Sequence, residues 1–328
     1  MPTHRAVLCK QLGLGDGVAL ETVECAPLTA GTLRIRIAAA GVNFPDLLMV
    51  QGLYQFKPPL PFVPGMEAAG RVIECAPGSR FTHGDAVFVL ARNGTFADEI
   101  VAPEATVQPL PPGMSMEQGA TFGVASLTAY HTLKTRAHVT PGQTVLVLGA
   151  SGGVGAATVQ FAKALGAKVI AAASTPAKLA FAAALGADHV IDYGTAKLEL
   201  EVARLTAGRG ADIIVDPVGW QPESLCRALA FGGQIMMVGF AGGTLPNYPA
   251  NRLLLKSASL VGVRAGEAGR HNPVARVQEW ADLLTLASKT SIRPVVSQLV
   301  PLADFRRALN ALAARQALGR IALDCSAT

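Results

Sequence analysis

Residues 33–37 read Leu-Arg-Ile-Arg-Ile, apolar and charged in strict alternation. A strand with one face on a core and the other toward water has this period of two. Further apolar runs lie around it: "RAVLCK", "AAGRVIECA" and "DAVFVLA", bounded by Gly, Pro and Asp. Those residues supply turn dihedrals, so the first third of the chain is expected to be β-rich. The stretch "KPPLPFVPG" holds Pro58, Pro59, Pro61 and Pro64. Proline removes a backbone donor and restricts the residue before it, which predicts a rigid irregular loop.

The pattern changes near Gly123. "SLTAYHTLKTRA" has helical spacing, with Leu127, Tyr130 and Leu133 on one side. From Gln143 onward, apolar runs alternate with amphipathic segments. "TVLVLGA", "KVIAAAS", "HVIDY", "ADIIVDPVG" and "GGQIMMVGF" read as strands, and "SASLVGV" at 257–263 as a sixth. Helices are expected over 154–165, 176–185, 195–206 and 222–230. Continuous apolar strands separated by helices imply a parallel sheet covered on both faces. A helix near 273–287, a strand near 295–300, a helix near 302–314 and a last strand, "GRIALDC", complete the chain. The fold class is α/β: a β-rich domain (1–123 and 268–328) interrupted by a doubly wound parallel-sheet domain (124–267).

Composition narrows the function. A chain of 328 residues exceeds the usual size of one core, in keeping with two domains. Half the residues are apolar and 16% are charged, which suits a packed protein and excludes a disordered one. Residues 144–162 carry no charge, but their glycines and the turn among them make a poor membrane span. No leader is visible in "MPTHRAVLCK", and a cytosolic protein is expected. Cys9, Cys25, Cys75, Cys226 and Cys325 are too widely spaced for a zinc knuckle or a disulfide framework. The net charge of +5 comes with no basic run and no basic–aromatic interleaving, so no nucleic-acid partner is expected.

The densest chemistry lies in "VLVLGASGGVGAATVQFAKALGA". Gly149, Gly152 and Gly155 stand three apart between a strand and a helix. Glycine there permits a tight turn and a close backbone approach to a diphosphate, and the helix start supplies N–H groups and positive dipole. The cofactor contacts are expected at Gly149, Ala150, Ser151, Gly152, Gly153, Val154 and Gly155; the alternative is a purely structural turn. Dinucleotide loops that hold a ribose 2′-hydroxyl place an acid about 20 residues on. Here the second strand runs into Ser174, Thr175 and Lys178 instead. A hydroxyl and an ammonium suit a 2′-phosphate, and Tyr193 after the third strand can add a hydrogen bond, which points to NADPH. The alternative makes Lys178 a solvated helix lysine and Ser174 the helix cap.

These motifs, with "AAGVNFPDLLMVQGLYQFKPPLPFVPGMEAAGRV", "SLTAYHTL", "LGADHVIDY" and "GGQIMMVGF", resemble the zinc-independent NADPH:quinone oxidoreductases. That zeta-crystallin-like family belongs to the medium-chain dehydrogenase/reductase superfamily, and the resemblance spans essentially the whole chain. It implies a GroES-like catalytic domain and a Rossmann domain, with the active site in the cleft between them. It also implies NADPH as hydride donor and a homodimer joined through the edge strand 257–263. Zinc-dependent relatives carry a Cys near the start of "GVNFPD" and a His–Glu pair where this chain has "GME". Val42, Asn43 and Met66 stand at those places, so no metal is expected.

By motif, the resemblance puts Asn43, Tyr54 and Thr128 at the catalytic centre. Asn43 and Tyr54 also face substrate, and Asn251 and Leu253 sit at the rim. Ser174, Lys178 and Tyr193 would meet the 2′-phosphate, and Val218, Gly239 and Phe240 complete the cofactor side. The segment "RAGEAGRHNP" departs from the family. Arg264, Arg270 and His271 make it either a basic lip for an acidic or CoA-linked substrate or a solvated loop.

The expected activity is hydride transfer from NADPH to a quinone. The alternative acceptor is an activated C=C bond, as in enals, enones, haloacrylates or enoyl thioesters. Either way, polar donors near the acceptor oxygen would stabilise developing charge. Asn43 and Tyr54 are the candidates, and Tyr54 can also give the proton. Asn43 is otherwise a turn residue before Phe44 and Pro45, and Tyr54 a wall of the site. Glu67 either pairs with a basic group or caps a loop. A lens-like or RNA-binding protein without turnover is the reading from another class; the intact glycine loop argues against it.

Overall fold

The computed structural model describes residues 2–290 and 292–326. The chain forms two compact units, Met1–Val124 with Arg293–Thr328, and Ala125–Ile292. The first division lies beside the expected one. The second comes after residue 292 rather than 267, because the long helix Pro273–Lys289 packs within the Ala125–Ile292 unit. Its Trp280, Leu283 and Ala287 are buried. Its Glu279 accepts hydrogen bonds from His131 Nδ1 (2.7 Å) and Thr135 Oγ1 (2.6 Å).

In the first unit an antiparallel hairpin, Thr3–Cys9 with Val18–Glu24, accompanies a larger sheet. That sheet runs Val296–Pro301, Arg320–Asp324, Thr32–Val42, Glu67–Cys75, Ala86–Leu90 and Val107–Pro109, and Glu99–Pro103 also pairs with Thr32–Val42. The alternation at 33–37 is realised: Leu33, Ile35 and Ile37 are buried, while Arg34 and Arg36 reach Glu74 and Glu99 on the other face. The proline-rich loop contains no helix and has a cis Leu60–Pro61 bond.

A short helix, Phe44–Val50, interrupts the strands and was not expected. Its signal is local: "NFPD" places proline in the first turn and Asp46 where it accepts the Asn43 N–H at 2.8 Å, half of a capping box. Near the C-terminus the expected helix at 302–314 is a 3-10 turn, Leu302–Asp304, followed by the α-helix Phe305–Ala313. Phe305, Ala308 and Leu309 form its buried stripe.

The second unit is a six-stranded parallel sheet. Its order is His189–Asp192, Lys168–Ala173, Thr144–Leu148, Ala211–Asp216, Leu229–Met237 and Ser259–Gly262. Numbered along the chain this is 3-2-1-4-5-6, the doubly wound order. Every residue of Thr144–Leu148 is buried, as a strand covered on both faces should be. The helix expected over 195–206 spans only Leu198–Leu205. The one expected to reach residue 230 ends at Ala228, because Leu229 already enters the next strand. The helix Met116–Tyr130 passes directly into a wide turn, His131–Arg136, where Ala137 N donates to Thr132 O, five residues back.

Candidate active site

In a sheet of order 3-2-1-4-5-6 the strand connections diverge between the first and fourth strands, and ligands bind beyond the carboxyl ends there. The glycine turn occupies this point. Gly149 follows Thr144–Leu148 with φ +55°, a left-handed conformation that favours glycine. Gly152 N donates to Gly149 O at 2.9 Å and closes the turn. A Cβ on Gly155 would come within 2.2 Å of Gly149 O, so only glycine lets the helix approach the strand end this closely. The helix Gly153–Ala164 then begins at Gly152 with no side chain capping it. Uncapped N–H groups at the start of a 12-residue helix, reached through side-chain-poor backbone, fit a diphosphate.

The neighbouring strand ends frame the same edge. Ser174 is exposed and Lys178 half-buried just after Lys168–Ala173. The cap of the following helix is Thr175, whose hydroxyl accepts the Lys178 N–H at 3.4 Å. The cap role considered for Ser174 therefore belongs to its neighbour. Tyr193 follows the third strand, and its ring lies 4.8 Å from that of Trp220, tilted by 37°. No acid stands directly after the second strand; the next, Asp188, is bound to Lys163 Nζ at 2.7 Å.

Val218 follows the fourth strand, and its side chain lies 2.9 Å from where a Gly149 Cβ would stand. Asp216, fully buried, holds this loop: its Oδ1 accepts N–H groups from Val218 and Gly219, each at 2.8 Å. Burial pushes the Asp216 carboxyl above its usual range, against those hydrogen bonds and one from Tyr248. Asp216 was not singled out from the sequence, although it ends the apolar run "DIIVD". Gly239 and Phe240 follow the fifth strand; Gly239 N reaches Asp216 O at 3.4 Å, and the Phe240 ring lies 3.3 Å from where a Gly219 Cβ would stand. Leu253 packs on the unit's core from the helix Ala250–Leu255, while Asn251 is exposed on the same helix. The segment read as a basic lip or a solvated loop is a helix, Ala265–His271. Glu267 pairs there with Arg264, Arg270 and His271, so a single carboxylate is shared among them and the helix stays net basic.

Thr128 lies half-buried in Met116–Tyr130, and its carbonyl accepts the Thr132 hydroxyl at 2.6 Å. In the first unit, Asn43 is buried and its carboxamide is engaged at both ends. Nδ2 donates to Glu67 Oε1 at 2.9 Å, and Oδ1 accepts from Arg320 Nη2 at 2.9 Å. Arg320 also bonds Glu67 directly. Glu67 Oε2 accepts the Val124 N–H at 2.8 Å, so Glu67 pairs with a base and also holds a backbone group. Burial pushes the Glu67 carboxyl up, while Arg320 pulls it down. Arg320 is the partner the sequence did not disclose, 253 positions from Glu67. Tyr54 is half-buried against the core of this unit, its N–H bonded to Leu48 O at 3.2 Å.

Among the described residues, no group of three or more His, Cys, Asp or Glu is placed to hold a metal ion. No described helix is long and apolar enough to cross a membrane.

Comparison with known proteins agrees with this architecture. Residues 29–112 match the family described as "Alcohol dehydrogenase GroES-like domain", and residues 153–289 the one described as "Zinc-binding dehydrogenase". The "Quinone oxidoreductase-like protein 2 homolog" of Nematostella vectensis is 35% identical over 98% of this chain and 89% of its own length. The solved quinone oxidoreductase of Thermus thermophilus, also crystallised with NADPH, superposes with a TM-score of 0.83 at 32% identity. It covers 98% of this chain and 99% of its own. A mycobacterial protein solved with NADPH gives 0.88 at 30% identity, over 97% and 99%. The chain belongs to the medium-chain dehydrogenase/reductase superfamily, on its quinone oxidoreductase-like branch, and is an oxidoreductase of that type.

Proposed function

We propose that this protein is a metal-independent, NADPH-dependent quinone reductase. The observation that carries the cofactor choice is the edge beside the glycine turn, where Ser174 and Lys178 stand in place of an acid. A carboxylate there would repel a 2′-phosphate, whereas a hydroxyl and an ammonium attract it. Bound NADPH supplies a hydride. The backbone of residues 149–155 holds the diphosphate, Ser174, Lys178 and Tyr193 hold the 2′-phosphate, and Val218, Gly239 and Phe240 border the remainder. Thr128 orients the nicotinamide carboxamide. Tyr54 faces the acceptor and gives a proton to its oxygen. Asn43, whose carboxamide is committed to Glu67 and Arg320, acts by positioning its strand and helix. Asn43 and Met66 stand where zinc-dependent relatives carry ligands, which supports the metal-free reading. The five cysteines are unbridged, as in a reducing cytosol.

The protein is further proposed to be a homodimer. Ser259–Gly262 ends the parallel sheet, and Phe231, Leu254 and Leu255 near it are 81%, 80% and 70% exposed. An open strand edge beside apolar side chains suits pairing with a second copy.

NADPH oxidation followed by absorbance, with a quinone and an enone side by side and NADH as control, tests the assignment. Turnover with the quinone and little with the enone is expected. The reverse result would move the protein to C=C reduction. Lys178→Ala should weaken NADPH about tenfold or more while leaving NADH nearly unchanged, since it removes a charge-assisted contact to the 2′-phosphate. Equal losses would overturn the 2′-phosphate role.

A further inference from the structure

The hairpin of the first unit brings together three side chains that the proposed reduction does not use. His4 pairs with Val23 in the antiparallel register, and Cys25, two residues beyond Val23 on the same face, lies diagonally across from it. His4 Nδ1 lies 3.3 Å from Cys25 Sγ. Glu99, on the strand Glu99–Pro103, brings Oε2 to 3.9 Å from the same sulfur. Its other oxygen is held by Arg36 Nη2 at 3.1 Å. Arg34 borders the cluster, donating to Ala26 O at 2.8 Å.

We propose that Cys25 is a reactive thiol, with His4 as its general base and Glu99 as the carboxylate that steadies the imidazolium. It is a site of reversible mixed-disulfide formation with low-molecular-weight disulfides. Both the His4 ring nitrogen and the Glu99 carboxylate can accept the Cys25 S–H, and the ring nitrogen is the nearer. Burial holds the His4 imidazole below its usual pKa, so at neutral pH it is a free base. Glu99 and Asp98 favour the imidazolium once it forms, and Arg34 opposes it. The thiolate is the nucleophile in exchange, and a base within hydrogen-bond reach generates it.

The step balances without a further reagent. The Cys25 S–H proton passes to His4 Nδ1. A thiolate lone pair forms a bond to one sulfur of the disulfide, and the S–S bond breaks. The departing half leaves as a thiolate with the bonding pair and takes the proton from His4. One S–S bond replaces another: the Cys25 sulfur is oxidised from −2 to −1 and the departing sulfur reduced from −1 to −2, with no outside oxidant.

The chain carries its own controls. Cys75 is comparably half-buried and pairs with no imidazole among the described residues. Cys9, Cys226 and Cys325 are buried, and burial pushes their thiols up.

The experiment treats the native protein with glutathione disulfide at neutral pH, quenches with acid at intervals, and maps each cysteine by peptide mass. Cys25 is expected to react at least about tenfold faster than Cys75, with the buried three silent and the adduct removed by dithiothreitol. His4→Asn should bring Cys25 down to the Cys75 rate without changing NADPH oxidation. Equal rates for Cys25 and Cys75 in the parent protein would overturn the proposal without any variant. So would a His4→Asn protein whose Cys25 reacts as before.

Discussion

Asp46 is fully buried, and only one of its oxygens has a hydrogen-bond partner, the N–H of Asn43. Burial, with nearby Glu67 adding to it, pushes its carboxyl from 3.8 up to about 8. The fold thus favours the neutral acid. Because the folded pKa lies above the unfolded one, this contribution to stability is full in acid. It declines as pH rises above about 4 and is gone beyond about 8. Asp46→Asn keeps an acceptor for the Asn43 N–H and cannot ionise. Its stability relative to the parent should therefore rise between about pH 4 and about pH 8 and level off above, read from denaturant midpoints at each pH. Parallel pH curves for the two proteins would count against this assignment. The residues that do this work are partly legible in sequence: "NFPD" announces a cap, but nothing near Glu67 names Arg320 as its partner.

The helix Pro273–Lys289 is the element whose allegiance the sequence misjudged. Its apolar stripe says that it packs, but not on which unit. A single acidic residue supplies much of the answer. Glu279, 10% exposed, joins His131 and Thr135 in the wide turn His131–Arg136 and lies 2.9 Å from Arg276. Glu279→Ala would leave His131 and Arg276 without their carboxylate. A loss of about 3 kcal/mol is expected, the lower end for breaking a buried charge pair. Hydrogen exchange should rise together in residues 131–136 and 273–289. Acceleration in only one segment would show that the two are not held by this contact. Wide turns of this kind recur at functional sites, and this one follows directly on the helix that carries Thr128.

At the scale of the whole molecule, the proposed dimer gives the sharpest test. Leu260 lies in the end strand, opposite Ile235. Leu260→Arg places a charge on that edge, and like charges would then meet across a two-fold axis. Sedimentation velocity should show a shift from dimer to monomer, with the unit's fold retained by circular dichroism. A variant that stays dimeric would move the contact elsewhere.

The sequence by itself determined the fold class, the alternating strand at 33–37, the glycine turn and the serine–lysine edge beside it. These are local matters: period, turn dihedrals and the chemistry of consecutive residues are written where they act. Tertiary structure alone decided that Asn43 is bound into a buried Glu67–Arg320 pair and that Asp216 pins the loop bearing Val218. It also decided that Thr175 rather than Ser174 caps its helix, that the chain leaves the parallel-sheet unit after residue 292, and that His4 meets Cys25. Most of these depend on groups distant in sequence; the Asp216 and Thr175 contacts are local, and which polar group takes them shows only in the folded backbone. A buried polar atom must find a partner, but which one it finds is fixed only when the strands and helices have packed.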